Sequence, residues 1–213
     1  CLELGKRLEN LQPPVIVTCA RGSSDHAATY GKYLFETQLG IPVSSFAPSV
    51  SSVYHTQPRL KGALFVAISQ SGRSPDLLKS TEAARDAGAM IVALVNDTKS
   101  PLADLADVCL GLQAGPETSV AATKSFIASL AGLLQITACW SRDEKLSGAL
   151  AHLPNQLAKA ADLDWSEAVN TISEARNMFT LGRGLGYGVA QEAALKFKET
   201  SMIHAEPFSS AEL

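Results

Sequence analysis

The stretch Ala63-Leu64-Phe65-Val66-Ala67-Ile68-Ser69-Gln70-Ser71-Gly72-Arg73-Ser74-Pro75 passes from an unbroken apolar run through a hydroxyl-rich turn into the start of a helix. Residues 63–68 are apolar without alternation, the pattern of a strand covered on both faces within a parallel sheet. Ser74 stands at an N-cap position, with Pro75 at the first helical position and Asp76 in the first turn. Strand, turn and helix in this order form the unit of a parallel α/β fold. The turn gathers serine hydroxyls and free backbone N–H groups where the helix dipole favours negative charge, so it reads as a phosphate site.

Outward from this unit, strand candidates at 15–20, 63–68, 90–95 and 108–112, with a shorter one near 42–46, alternate with helical stretches near 24–39, 75–87 and 121–140. That rhythm predicts a doubly wound α/β fold around a five-stranded parallel sheet. Ser23 or Ser24 opens one helix and Gly40 closes it; Ser74 opens the next and Gly88 closes it. A hydrophobic content of 46% over 213 residues suffices for a substantial core. A net charge of −3 without a Lys/Arg cluster excludes a nucleic-acid surface of the usual kind. The longest apolar stretch, Phe126 to Trp140, falls short of the ~20 residues a membrane span needs and contains Ser129, Gln135 and Thr137, so it reads as a buried helix. Cysteines at 1, 19, 109 and 139 form no Cys-x-x-Cys pair, which leads to the expectation of reduced thiols and a cytoplasmic location.

From Asp143 to Lys159 the pattern is helical and more polar, with Pro154 as a breaker, and a second segment of the first type follows. A shift of 162 positions lays Thr18 on Thr180, Arg21-Gly22 on Arg183-Gly184, Ala28 on Ala190 and Phe35 on Phe197. Both copies read strand, Arg-Gly turn, helix, so the expected organisation is one unit over 1–160 and the beginning of a second over 161–213. The chain opens on Cys1-Leu2-Glu3-Leu4 without an initiator Met, and its second unit is too short to bury a sheet. Both features suggest a segment of a longer protein.

In a doubly wound sheet ligands bind where strands turn into helices at their carboxyl ends. Three such turns are rich in small hydroxyl residues: Arg21-Gly22-Ser23-Ser24, Ser69 to Ser74, and Glu117 to Lys124 with Val120 and Ala122 at its centre. Together they suit a polyhydroxylated anion, a sugar phosphate above all. Neither a dinucleotide fingerprint nor a P-loop is present there. Lys124 would add attraction for the phosphate. Arg21 and Arg73 have two readings, phosphate contact or solvent. Ser and Thr at helix starts also serve simply as caps, a role that does not explain Gln70. Farther on, Lys196, Lys198, Glu199, His204 and Glu206 supply acid–base groups for proton transfer next to a carbonyl, although Glu192 and Lys196 also have the spacing of an ordinary surface pair.

Four motifs in order carry a resemblance to a known family. They are Ala20 to Ser24, Ser69 to Ser74, Gly115 to Lys124, and Leu181 to Gly184 followed by Glu192 to Glu199 and Ile203-His204-Ala205-Glu206. They resemble the SIS (sugar isomerase) domains, in particular the isomerase half of glucosamine-6-phosphate synthase and its stand-alone deaminase relatives. The resemblance implies a flavodoxin-like three-layer fold. It implies that Ser24, Ser69, Gln70, Ser71 and Ser74 hold the phosphate, with Ser23 and Val120 near the sugar and Gly22 and Ala122 among the substrate-binding positions. Glu199 would shuttle a proton between C1 and C2 with Lys196 supporting it. No cofactor or metal is implied, and a homodimer is. The family's ring-opening histidine lies in a Glu-Leu-x-His-Gly-Pro motif, of which this sequence has Glu212-Leu213, so His204 is not that residue. Where the family has a serine in the third turn this chain has Ala122, and Arg21 stands where the synthase has cysteine, as in the deaminase branch. The activity implied is deamination and isomerisation of glucosamine 6-phosphate. Isomerisation of another sugar phosphate and non-catalytic sensing are the alternatives.

Overall fold

The computed structural model describes residues 2–212. Five parallel strands form the main sheet: β1 (Ile16–Cys19), β2 (Val43–Ser45), β3 (Leu64–Ser69), β4 (Met90–Val95) and β5 (Val108–Gly111), in the order β2-β1-β3-β4-β5. The period-two alternation of side chains divides β3 between two cores. Leu64, Val66 and Ile68 pack with Leu34, Phe35, Leu133 and Ile136 on one face, while Phe65 and Ala67 pack with Leu77, Ala84 and Leu102 on the other. Every residue of β3 is buried, which is why its sequence shows no polar alternation.

Helices α1 (Leu2–Leu11), α2 (Ser23–Leu39) and α6 (Lys124–Ser141) cover the first face. On the second lie α3 (Ser49–Ser52), α4 (Pro75–Asp86) and α5 (Pro101–Leu105). The doubly wound, five-stranded parallel arrangement is therefore as the sequence rhythm predicts. The apolar stretch 126–140 is the body of α6, and no helix of the described residues is long and apolar enough to cross a membrane. Gly40 ends α2 in the left-handed conformation, its N–H donating to the Glu36 carbonyl.

Two expectations need correction. Pro154 does not break the chain: it lies inside α7 (Glu144–Ala161), whose N-cap Asp143 accepts from the N–H groups of Lys145 and Leu146. The cap and a Leu146, Leu150, Leu153, Leu157 stripe of helical period keep the helix continuous through the proline. The second correction concerns the α2 start, where the N-cap is Gly22 (φ 56°) rather than a serine.

After α8 (Ser166–Ile172), β6 (Asn177–Gly182), α9 (Leu185–Ser201) and β7 (His204–Ser209) follow, with β6 and β7 parallel in a separate sheet. The 162-residue offset holds in three dimensions. Gly22 (φ 56°, ψ −133°) and Gly184 (φ 58°, ψ −127°) cap helices of 17 residues each. The pairings Ile16↔Val43 and Thr18↔Ser45 become Met178↔Ala205 and Thr180↔Pro207. The repeated unit is thus strand, turn, helix and strand, one strand longer than the sequence identities suggest.

Candidate functional site

In an open sheet of this order, the crevice lies at the carboxyl ends of β1 and β3, where the connections leave for opposite faces. Both turns there are hydroxyl-rich. The β1 turn delivers Ser23 and Ser24 in the first turn of α2, and the β3 turn delivers Ser69 to Ser74 ahead of α4. They line a cleft of about 200 Å3 with Arg21, Ser23, Ser24, Ser69, Gln70, Ser71, Ser74 and Ala122 on its wall. Ser125 and Phe126, from the start of α6, close it. Such a volume holds a phosphate and little more, so a sugar would extend outward from it.

The turn's own bonding separates the hydroxyls. Ser69 Oγ accepts from the N–H of Gly72 at 3.0 Å and Ser71 Oγ from that of Arg73 at 3.3 Å, which shapes the loop. Gly72 has φ 65°, and a Cβ there would lie 2.1 Å from Ser100 Oγ, so glycine is required. Ser74 occupies the N-cap of α4 but makes no capping hydrogen bond with its side chain. Its hydroxyl remains free to meet a ligand.

The three cations considered from sequence are otherwise engaged. Arg21 lines the cleft and pairs with Asp76 in the first turn of α4. Arg73 is held by Asp97 at 2.7 Å, and Lys124 donates to the Pro116 carbonyl at 2.6 Å. In the third turn Ala122 lines the cleft, whereas Val120, expected near the sugar, is 99% exposed and outside it. The turn is fastened instead by Glu117, whose Oε1 accepts from both the N–H and the hydroxyl of Ser125.

The acid–base residues lie on one face of α9, with Glu192, Lys196 and Glu199 at i, i+4 and i+7. Lys196 Nζ donates to Glu199 Oε2 at 2.8 Å and to Ser23 Oγ at 3.2 Å, which links the proposed base to the phosphate turn. His204 and Glu206 fall on β7, away from this face. Sequence reading missed the neighbour that completes the group: His26 of α2 donates from Nδ1 to Glu192 Oε2 at 2.8 Å. Glu192 and Lys196 are accordingly no surface pair, with the Glu192 side chain only 7% exposed and its Oε1 3.2 Å from Lys196 Nζ. Burial works to raise the Glu192 carboxyl, but the hydrogen bond from His26, the Ser23 hydroxyl and the Lys196 ammonium outweigh it and hold it below its ordinary value. Burial likewise works to lower Lys196, and Glu199 and Glu192 together push it above its ordinary value, so it stays charged. The arrangement can carry a phosphate at one end and move a proton at the other.

Comparison with known proteins places this geometry among relatives. A profile of the SIS domain matches residues 12–138. The glutamine–fructose-6-phosphate aminotransferase (isomerizing) of Thermotoga maritima is 37% identical over 218 residues, covering 97% of this chain and 35% of that protein. The chain thus spans about a third of the length of the curated relatives it matches. Among solved structures, a candidate phosphosugar isomerase from Silicibacter pomeroyi DSS-3 superposes with a TM-score of 0.96 at 48% identity, over 99% of this chain and 64% of that one. The C-terminal domain of glucosamine-fructose-6-phosphate aminotransferase from Francisella tularensis gives 0.81 at 30% identity, over 100% and 62%.

Proposed function

The chain belongs to the SIS domain family, and from that premise we propose that it serves a phosphosugar-processing enzyme that converts glucosamine 6-phosphate and water to fructose 6-phosphate and ammonia. The observation that carries this reading is the bridge Ser23–Lys196–Glu199, which joins the phosphate cleft to a carboxylate without leaving hydrogen-bond distance. In this reading Ser24, Ser69, Gln70, Ser71 and Ser74 hold the phosphate against the N-termini of α2 and α4. Glu199 removes the C2 proton of the open-chain sugar, giving an enolamine, and returns a proton to C1. The resulting C2 imine adds water and expels ammonia, leaving the ketose. Lys196, kept cationic by its two carboxylates, orients Glu199 and faces the charge that develops on the C1 oxygen. By its family resemblance the enzyme is proposed to act as a homodimer, and by the spacing of its cysteines to reside in the cytoplasm.

A second reading is aldose–ketose isomerisation of another sugar phosphate without ammonia release, favoured by the 48% identity to a candidate phosphosugar isomerase. One assay separates the two. Full-length protein given glucosamine 6-phosphate is expected to release ammonia, with a Glu199→Gln variant slower by about 100-fold or more in kcat and near wild type in phosphosugar affinity. Ketose formation from other aldose phosphates without ammonia would select the isomerase, and ammonia release that persists in Glu199→Gln would remove Glu199 from its role.

A further inference from the structure

Among the described residues, His26 and Glu192 are ionisable groups of α2 and α9 that meet across the helix crossing away from solvent, with side chains 21% and 7% exposed. Its position gives it a consequence. Helix α2 starts at the phosphate turn, with Ser23 and Ser24 in its first turn, and α9 carries Lys196 and Glu199. The helices approach so closely beside the pair that a Cβ at Gly188 would lie 2.6 Å from the His26 carbonyl oxygen and 2.9 Å from the Tyr30 nitrogen.

The chemistry of the contact fixes its polarity. An ionised carboxylate only accepts, so His26 carries its proton on Nδ1 and donates it to Glu192 Oε2. That bond occupies Oε2 and leaves Oε1 beside Lys196, 3.2 Å from Nζ, as a buried ion-pair contact without a hydrogen bond of its own. Lys196 is left with its remaining donors directed at Ser23 and Glu199. A carboxylate free to rotate would offer Lys196 either oxygen and several geometries.

We propose that His26 is a positioning residue for proton transfer: through Glu192 it fixes Lys196, and thereby Glu199, relative to the phosphate turn at the head of its own helix. The proposal deepens the functional reading above and rests on its assignment of Lys196 and Glu199. It predicts that His26 governs turnover rather than phosphate capture, because Ser24, Ser69, Gln70, Ser71 and Ser74 do not depend on it.

The test compares full-length wild type with His26→Ala and His26→Asn, the latter placing an amide donor where Nδ1 stands. Three readouts are taken: ammonia release from glucosamine 6-phosphate, affinity for fructose 6-phosphate by calorimetry, and the labelling rate of Lys196 by trinitrobenzenesulfonate. Labelling is resolved by peptide mass spectrometry, with the exposed Lys198 of the same helix as internal reference. In His26→Ala, kcat is expected to fall by about 10-fold to 100-fold, as for other groups that orient a reacting side chain, with affinity within about threefold. Lys196 labelling should accelerate relative to Lys198, and His26→Asn should recover most of both losses. Unchanged Lys196 labelling in a folded His26→Ala overturns the proposal, as does equal loss in both variants. If His26→Ala does not fold, Glu192→Gln replaces it, with the same labelling change expected and the same null result overturning the proposal. If wild type releases no ammonia, the deaminase reading fails, while the labelling comparison still decides the role of His26.

Discussion

Ser74 shows how one side chain's unused bonding capacity separates a structural role from a binding role. A serine at an N-cap ordinarily accepts from an N–H of the first turn, and its replacement by alanine costs about 0.5–2 kcal/mol. Here the position is that of the cap but the bond is absent, since the hydroxyl faces the cleft. Ser74→Ala is therefore expected to leave the melting temperature nearly unchanged, a loss below about 0.5 kcal/mol. Affinity for fructose 6-phosphate should drop by about 10-fold or more, the worth of a hydrogen bond to a charged group. Calorimetry and thermal melts on the same samples check it, and a destabilised variant with normal affinity would return Ser74 to an ordinary cap. The sequence names Ser74 because hydroxyl, proline and acid fall in helix-start order. It does not name His26, whose single imidazole within a helix has no spacing signal, and whose partner lies 166 residues away.

Between elements, the crossing of α2 and α9 is organised by a local two-fold relation. The repeat offset carries His26 onto Gly188 and Tyr30 onto Glu192, so the contact His26–Glu192 and the contact Tyr30–Gly188 exchange with one another. One half of the crossing is polar and the other is a close backbone approach. Gly188→Ala places a methyl group against backbone that cannot yield, and overpacking of this kind costs about 1–3 kcal/mol. Urea denaturation is expected to show that loss, and a variant as stable as wild type would mean the helices can separate without penalty. The repeat itself is legible in sequence through Arg21-Gly22 and Arg183-Gly184, because both positive-φ turns need glycine. The crossing is not legible, because the residues that meet there differ between the copies.

For the molecule as a whole, the buried charges tie stability to pH in a calculable direction. Glu192 has its folded pKa held below the ordinary 4.5, so its contribution is complete above 4.5 and is lost as pH falls through the depressed value. Lys196 has its pKa raised above 10.5, so its contribution is complete below 10.5 and is lost as pH rises beyond it. Stability from this cluster is thus constant between those limits and declines outside them. Glu192→Gln is expected to flatten the acid limb of a stability-against-pH profile below 4.5 while lowering the plateau; a parallel shift with an unchanged acid limb would show that Glu192 is not a source of the acid sensitivity.

The layered α/β architecture, the two serine-bearing turns and the repeat are legible residue by residue, because they depend on local patterns: apolar runs covered on both faces, helix-start grammar, and glycines at positive φ. What those elements do to one another follows from how they pack. Glu192 and Lys196 are spaced like a surface pair, yet Glu192 is buried and Lys196 half-buried where α2 crosses them. Burial and hydrogen-bond partnership are properties of neighbours distant in the chain, and no local pattern of residues encodes them.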